Sequence, residues 1–475
     1  MNKIYVKGPN EEVFYEVLDN GLTVYMLPNN KVKTYYLTFS AKFGSVYTEF
    51  KLEGDKSYTK IPNGVAHFLE HLTFYTEDGD ASTFYADNGA KSNAYTSTHI
   101  TCYEVYGYNK FKENLEYLLD YVQKPYYTEK MVNDEKGIII EEIKMYEDDP
   151  ESVLIGESSA SIFVNDNRKY LVAGTKKDVK STTVKDIENA YKTFYHPSNM
   201  FIVLTGNFNP EEALAIIEEN QSKKEFGEKK KIINKVVKEP KNVACTYKEI
   251  KKDVSIEKLE LALKIPMSTF LKDGITEHEL VSSLNIILNS NFGSTSEFRE
   301  TLVDGNIINN DIIYYASVCG NYLIIEFMCE THYPKRLITL LEEKINNLDI
   351  DEIEFNSKKK VAISNLILVF EDIERASEFI SSGIIKENEV PTYLFDTYSK
   401  LNLKTLKSIC KKINTDEEAV VVIKKNNRTS KKTSNFIFLL YIYSWGGKYE
   451  SKIKVYYYCY YHSCSFSCFL CIIFR

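Results

Sequence analysis

The stretch GVAHFLEHLTF, residues 64–74, decides how the rest of this chain is interpreted. Its apolar spacing predicts a helix. On that helix His67, Glu70 and His71 share one stripe, because positions i, i+3 and i+4 lie on the same face. Two imidazoles one turn apart can bind one metal ion, and a carboxylate beside them can reach a water molecule on that metal. The alternative is a pair of core or capping histidines on an ordinary helix.

A catalytic zinc site needs a third protein ligand, and the helical run NDEKGIIIEEIKMYED, residues 133–148, supplies a candidate. Glu135 and Glu142 are seven residues apart and therefore share a helix face. The apolar residues predicted on that face are Ile138, Ile139 and Met145. Carboxylates on an apolar stripe are costly unless they are paired or bound to a cation. Glu141 lies about 100° away and is predicted to face solvent. The alternative is a charged amphipathic helix without a metal.

The composition excludes several classes of protein. The chain has 475 residues, 44% of them hydrophobic, so it can bury a core and is neither disordered nor collagen-like. The chain has 59 Lys and Arg against 67 Asp and Glu, a net charge of −8. This balance argues against a protein that binds nucleic acid, which would need clustered basic residues. No phosphate-binding loop of the G-x-G-x-x-G or Walker type is present, which argues against a nucleotide enzyme.

The first residues and the cysteines bear on the cellular compartment. The start, MNKIYVKGPNEEVFYE, has no apolar core of a secretory signal. Five cysteines are scattered over the first 425 residues without pairing distances, which favours reduced thiols and a cytoplasmic location. They are Cys102, Cys245, Cys319, Cys329 and Cys410.

The order of predicted elements indicates an α+β fold of two similar domains, each a mostly antiparallel sheet flanked by helices. In the first half, strands are predicted over 22–28, 35–42, 93–107 and 200–205, with helices over 111–122, from 129, and over 183–194. In the second half, strands are predicted over 258–265, 312–329 and 418–423, with helices over 276–288, 334–348 and 353–385. We expect an N-terminal domain over 1–225, a Lys-rich linker over 226–248 and a C-terminal domain over 249–425.

Residues 426–475 form an atypical tail rich in Tyr, Cys and Phe. Neither a helical nor a strand period runs through it. Its four cysteines leave a zinc knuckle open, although paired C-x2-C spacings are missing. A membrane anchor after Val455 is also open, but four charged residues just before it weaken that interpretation. We favour a third hypothesis, a tail foreign to the fold.

Five segments together resemble the pitrilysin/insulinase metallopeptidases, whose zinc motif is an inverted HxxEH. The segments are NGLTVYMLPN from Asn20, GVAHFLEHLTF from Gly64, GAKSNAYTSTHITCYEV from Gly89, EKGIIIEEIKMYEDDP from Glu135 and AGTKKDVKSTTVKDIENAYKTFYHPSNMFIVLTGNF from Ala173. The resemblance covers about residues 15–425, and the chain is similar in size to the short, two-domain bacterial members.

The resemblance implies a role for each residue of the motif. His67 and His71 would bind Zn²⁺, and Glu142 would be its third ligand. Glu70 would be the general base that activates water, and Glu135 would match the supporting acidic residue of the family. The chain is thereby expected to be a zinc-dependent endopeptidase that hydrolyses peptides or unfolded segments.

Asn93 and Ala94 match the edge strand that receives an extended peptide in this family. In such strand addition, main-chain hydrogen bonds hold the substrate with little sequence preference. The alternative for Asn93 is a turn residue that opens a strand. His99, further along the same segment, is expected to face the cleft.

The chain departs from the family in its second half. Active relatives usually carry an Arg and, seven residues later, a Tyr that contact the substrate. Here Arg299 is followed seven residues later by Asn306, and the better register, with residues 294–296 aligned, places Val303 at the Arg position. The resemblance implies two domains facing each other as a clamshell, often in a homodimer or in a heterodimer with a related subunit. The competing hypothesis is therefore a non-catalytic or partner-dependent subunit of a heterodimeric peptidase.

Overall fold

A computed structural model describes residues 1–426 of the chain. The predicted tail lies outside the described residues apart from Asn426, so the three hypotheses for it stay predictions. The fold is α+β, as expected, with two sheet-plus-helix halves. Within residues 1–426, no helix is both long enough and apolar enough to cross a membrane.

The first half alternates strands with helices. Its strands are β1 (Asn2–Val6), β2 (Glu11–Val17), β3 (Thr23–Pro28), β4 (Tyr35–Ala41), β5 (Glu49–Leu52), β6 (Thr59–Lys60), β7 (Tyr75–Thr76), β8 (Gly79–Asp80), β9 (Lys91–Thr96), β10 (Thr101–Gly107), β11 (Met200–Gly206) and β12 (Ile232–Asn234). Its helices are α1 (Val65–Thr73), α2 (Ala81–Asp87), α3 (Phe111–Gln123), α4 (Glu129–Asp148), α5 (Pro150–Ile162), α6 (Lys176–Ser181), α7 (Val184–Phe194) and α8 (Pro210–Ser222).

The second half repeats the pattern. Its strands are β13 (Tyr247–Lys252), β14 (Glu257–Pro266), β15 (Ile313–Cys319), β16 (Tyr322–Thr331) and β17 (Glu418–Lys425). Its helices are α9 (Ser268–Leu271), α10 (Glu277–Phe292), α11 (Glu297–Asp304), α12 (Pro334–Ile345), α13 (Glu352–Leu368), α14 (Ile373–Glu387), α15 (Leu394–Lys400) and α16 (Leu403–Cys410). Short 3-10 turns lie at Asn167–Lys169, Pro197–Asn199 and Val369–Glu371.

The sheet of the first half runs β1-β2-β3-β11-β4-β10-β9 within the described residues. Strands β4 and β11 lie at its centre, and every residue of both is buried, which explains their continuous apolar sequences. The sheet is antiparallel except that β11 runs parallel to β3. Strand β9 lies at one end and pairs with β10 alone, so its outer edge is free of strand partners in this part of the chain.

The sheet of the second half runs β13-β17-β14-β16-β15 over residues 247–425. Strands β14 and β16 pair over ten residues each, from Glu257 opposite Thr331 to Pro266 opposite Tyr322. Only β13 and β17 run parallel. Both sheets are therefore mostly antiparallel, as the sequence predicted.

Each sheet packs on one face against helices of its own half and on the other against a helix from the opposite half. Helix α14 covers the outer face of the first sheet, where Phe379 and Ile380 pack with Tyr25 and Phe201. Helix α5 covers the corresponding face of the second sheet, and Leu154 packs there with other apolar residues. This exchange of helices ties the two halves together through buried apolar contacts.

Two predicted elements are divided in the structure. The predicted strand over 93–107 is a hairpin of β9 and β10, because the chain turns at residues 97–100. The predicted helix over 353–385 is interrupted between α13 and α14, where the side chain of Asp372 accepts the backbone N–H groups of Glu374 and Arg375 and caps a new helix.

The Lys-rich segment 226–248 is held at two points. Strand β12 pairs with β5. Glu239 accepts hydrogen bonds from the backbone N–H groups of Val164, Asn165 and Asp166, and it also forms an ion pair with the fully buried Lys264 at 2.6 Å. The segment therefore connects the end of α5 to the second sheet through a buried charge pair.

Candidate metal centre

Helix α1 starts at a glycine that no other residue can replace without strain. Gly64 has φ 83°, and a Cβ built on it would lie 2.2 Å from the carbonyl oxygen of Ala173. This close approach fixes the start of α1 against the loop before α6. Phe68 and Leu69 then anchor the helix in the core of the first half.

The two histidines and Glu70 lie on the side of α1 that faces α4. His67 is 3% exposed and Glu70 is 8% exposed, whereas the side chain of His71 is 24% exposed. The imidazole rings of His67 and His71 have centroids 4.6 Å apart. The predicted helical stripe is therefore present, and His71 is its most exposed member.

Helix α4 presents Glu142 to these histidines. The helix is capped by Thr128, whose side chain accepts the backbone N–H of Met131. Its inward face consists of Val132, Glu135, Ile139, Glu142, Ile143 and Tyr146. Two apolar residues predicted on this face are instead exposed, Ile138 by 52% and Met145 by 59%. The prediction for them was wrong because each follows a glutamate by three residues, which places both side chains about 60° to the same flank of Glu135 and Glu142, away from the buried side of the helix.

Three ligand-type side chains converge here. His67 Nε2 lies 3.5 Å from Glu142 Oε1, and His71 Nε2 lies 3.4 Å from Glu142 Oε2. Within residues 1–426, these residues are the one group of three whose candidate ligand atoms all lie within 4.8 Å of one another. Glu141 is 71% exposed and forms an ion pair with Lys144, so it points away from the group.

The donor set fits a metal ion. Glu142 Oε2 is buried and has no partner at good hydrogen-bond geometry, since His71 Nε2 lies 3.4 Å away; His67 Nδ1 is buried without a partner. A buried carboxylate oxygen without a hydrogen bond is costly, and a cation between the imidazoles and the carboxylate removes that cost. Two imidazoles and one carboxylate are the protein ligands of one class of catalytic zinc site.

The charges of the centre also favour a bound cation. Burial alone would lower the pKa of His71, but hydrogen bonds with Glu135 and Glu142 outweigh it and raise that pKa to about 10. Burial alone would raise the pKa of Glu142, but hydrogen bonds with His67 and His71 hold it well below its usual range. Glu142 is thus ionised, and the centre attracts positive charge.

Two tyrosines and Glu135 support the ligands. Glu135 is buried; its Oε1 lies 2.8 Å from His71 Nδ1, and its Oε2 accepts a hydrogen bond from Tyr75 at 2.8 Å. A hydrogen on His71 Nδ1, shared with Glu135, would leave Nε2 as the ligand atom once a metal ion replaces the proton there. Tyr146 donates a hydrogen bond to Glu142 Oε1 at 2.6 Å.

Glu70 is held from the sheet. The hydroxyl of Thr96, on β9, donates a hydrogen bond to Glu70 Oε2. Ala94 is two residues earlier and therefore lies on the same face of β9, where it packs against the core that contains α1. Asn93 lies on the opposite face, and its side chain donates to Glu104 at 3.4 Å. The predicted contact of Asn93 with a peptide substrate would therefore be made by its backbone, not by its side chain.

His99 does not face a cleft. It lies in the turn between β9 and β10, with its Nδ1 3.0 Å from the Tyr47 hydroxyl and its Nε2 3.0 Å from Arg168 Nη2. Burial and the Arg168 charge lower the pKa of His99 to about 3. The neutral ring accepts from Arg168, so its role is structural.

Sequence reasoning missed three supporting residues: Thr96, Tyr75 and Tyr146. Tyr146 follows Glu142 by four residues on α4, and that spacing was a usable signal on the helix face. Tyr75 lies in β7, just after α1 ends, so helical spacing does not apply to it. Thr96 could be found only by following the alternation along β9 from Ala94.

In the second half, the side chain of Arg299 binds a neighbouring carboxylate. Its Nε donates to Asp311 at 2.7 Å. Val303 packs against the core of the second half. Asn306 follows α11 in the left-handed region, with φ 52°.

Comparisons with known proteins agree with this arrangement. The sequence profile of the insulinase family (peptidase family M16) matches residues 54–176, and that of the peptidase M16 inactive domain matches residues 181–354. The uncharacterized zinc protease YmfH of Bacillus subtilis is 31% identical over 403 residues, which are 84% of this chain and 92% of YmfH. This chain belongs to the M16 insulinase family.

Two further similarities extend the comparison. A putative M16-like peptidase from Alicyclobacillus acidocaldarius has a crystal structure that matches with a TM-score of 0.82 at 25% identity. The match covers 88% of this chain and 99% of that one. A probable mitochondrial-processing peptidase subunit beta of Arabidopsis thaliana is 31% identical over 205 residues, 42% of this chain and 36% of that protein. The similarity to the Alicyclobacillus acidocaldarius structure confirms the predicted two-domain fold of the family.

Proposed function

We propose that this M16 protein is a zinc-dependent endopeptidase that hydrolyses peptides or unfolded segments. The observation that carries the proposal is the convergence of His67, His71 and Glu142, with Glu70 one helical position before His71. When bound, zinc lowers the pKa of water and polarises a carbonyl group. Several similar proteins are named zinc proteases, and this supports the choice of metal.

The chain itself supplies the proton transfer. Glu70 is buried beside the ligands, and Thr96 binds its Oε2, so Oε1 is the oxygen available to accept a proton from the attacking water. Water then adds to the scissile carbonyl carbon, and Glu70 returns the proton to the departing amine as the C–N bond breaks. Glu135 and Tyr75 keep His71 in its ligating orientation throughout.

We propose that the substrate binds along β9. The outer edge of this strand has no strand partner within residues 1–426, and its backbone N–H and C=O groups are free to pair with an extended peptide. Ala94 and Thr96 face α1 from this strand, so a peptide added beside them would run next to Glu70. Main-chain pairing would accept many sequences, which suits a peptidase for unfolded segments.

One experiment tests the proposal. The purified protein is analysed for metal and then incubated with a quenched fluorescent peptide library, with a chelator and after zinc is returned. We expect about one zinc per chain, cleavage that the chelator abolishes, and recovery with zinc. Cleavage that survives complete removal of metal would contradict the proposal.

A second candidate function, a partner-dependent or non-catalytic subunit, is favoured by the second half. Arg299 is bound to Asp311, and the residue seven positions later is Asn306 rather than a Tyr. Under this hypothesis the purified chain binds zinc but cleaves no peptide of the library. Assembly as a homodimer or heterodimer and a cytoplasmic location remain predictions.

A further inference from the structure

Thr96 lies against the proposed general base, Glu70, on the strand to which we assign the substrate. It is 0% exposed, and its hydroxyl donates to Glu70 Oε2. Because both side chains are buried, little bulk water competes for this hydrogen bond.

The direction of this hydrogen bond follows from the neighbours of Thr96. A threonine hydroxyl has one hydrogen to donate, and Glu70 Oε2 is the acceptor in its shortest contact. The second neighbour, Thr101 Oγ1, lies 3.4 Å away and donates its own hydrogen to the carbonyl oxygen of Phe43 at 2.9 Å. The short contact to Glu70 therefore takes the hydrogen of Thr96.

We propose that Thr96 is a positioning residue for Glu70. Its hydroxyl holds Oε2 in place, so that Oε1 is directed at the attacking water. The terminal torsion of a glutamate is soft, with broad and roughly two-fold preferences, so the carboxylate needs an outside contact to keep one orientation. This inference rests on the function proposed above and adds a residue to it.

The position of Thr96 on β9 gives the hydrogen bond a second consequence. The strand that would align the peptide also aligns the base, because Ala94 and Thr96 lie on the same face two residues apart. The scissile bond and the proton acceptor are thus placed by one rigid element, which is how small distances between reacting groups are maintained.

The test compares variants that differ by one hydroxyl. Thr96→Val keeps the shape and the β-branched side chain but removes the donor. We expect kcat to fall by about 10- to 100-fold, the range of a lost hydrogen bond to a charged group, while KM and zinc content stay unchanged. Thr96→Ser keeps the hydroxyl and should recover most of the lost kcat. Should Thr96→Val not fold, Thr96→Ala against Thr96→Ser gives a second pair that differs by the hydroxyl alone.

Thr98→Val is the matched control. Thr98 is buried in the same hairpin, and its hydroxyl has no hydrogen-bond partner, so its removal should leave kcat unchanged. Equal kcat for the variants with and without a hydroxyl at position 96 would overturn the role of Thr96 alone. A wild-type protein without chelator-sensitive cleavage would overturn the proposed function and this inference with it.

Discussion

The two halves of the molecule bury acidic groups in opposite ways. In the first half, Glu142 lies beside His67 and His71, and hydrogen bonds with them hold its pKa well below the usual range. In the second half, Glu260 on β14 and Glu326 on β16 are buried beside each other. Burial raises the pKa of Glu326 to about 7, and burial with the Glu326 charge raises that of Glu260 well above its ordinary value.

The difference shows what a buried carboxylate requires. In the first half, imidazoles and the cation that they can hold keep the carboxylate ionised. In the second half, burial raises both pKa values and the Glu326 charge raises that of Glu260 further, so the pair keeps a proton that exposed acids would lose. The first arrangement is suited to a metal, whereas the second lies where the second sheet meets α5, whose Ser158 lies against Glu260.

The largest expected effect is that of Glu70→Gln on hydrolysis. The amide cannot accept a proton from water, so kcat should fall by about 100- to 10,000-fold. Zinc should stay bound, because Glu70 is not among the three convergent ligands. Steady-state kinetics and metal analysis check both statements. Glu116→Gln, on the surface of α3, is the control, and an active Glu70→Gln variant would remove Glu70 from the mechanism.

The next effect concerns the two neighbouring glutamates of α4. Glu142→Ala should weaken zinc binding by at least about 100-fold, since one of three protein ligands is lost. Glu141→Ala should change it little, because that side chain is exposed and paired with Lys144. Metal analysis after identical dialysis decides between them. Equal zinc occupancy in the two variants would mean that Glu142 is not the ligand.

Glu135→Gln should have a smaller effect on the same centre. The change weakens the hydrogen bond that orients His71, and loss of such a partner typically costs about 10- to 100-fold in metal affinity. Competition with a zinc chelator of known affinity measures it. Asp134→Asn, an exposed neighbour on α4, is the control. Unchanged affinity in Glu135→Gln would argue against a supporting role.

The smallest expected effect is that of Glu326→Gln, in the buried acid pair, on the pH dependence of the free energy of unfolding. The pKa of Glu326 is raised to about 7 in the folded protein, from 4.5. The folded state therefore holds a proton that the unfolded state has released, and stability declines as the pH rises from about 4.5 to about 7. Glu326→Gln should flatten this decline by on the order of 1 kcal/mol between pH 5 and pH 8.

Thermal unfolding across that pH range measures the decline. The difference between variant and wild type is compared, so the metal centre contributes equally to both. Glu300→Gln, an exposed carboxylate on α11, should leave the pH profile unchanged. A profile for Glu326→Gln that is as steep as that of the wild type would show that the pair does not share a proton.

Most elements with strong apolar periodicity could be predicted from the sequence, including the buried strands β4 and β11 and the amphipathic helix α3. Helix α5 could not, because its buried face contains Ser158, Ser159 and Ser161. Small polar side chains permit close packing against the second sheet, but a sequence pattern counts them as surface residues. The exchange of α5 and α14 between the halves was hidden too, because the period of a helix does not indicate which sheet the helix covers.

The sequence by itself determined the spacing of His67, Glu70 and His71 on one turn, because helical geometry relates residues three and four apart without any help from the fold. The shared face of Glu135 and Glu142, together with the family resemblance, extended this to Glu142. Only the tertiary structure decided which groups meet them: that Thr96 from a distant strand holds Glu70, and that Glu135 binds His71. Contacts between residues far apart in the chain depend on how sheets and helices pack, and local periodicity carries no information about that packing.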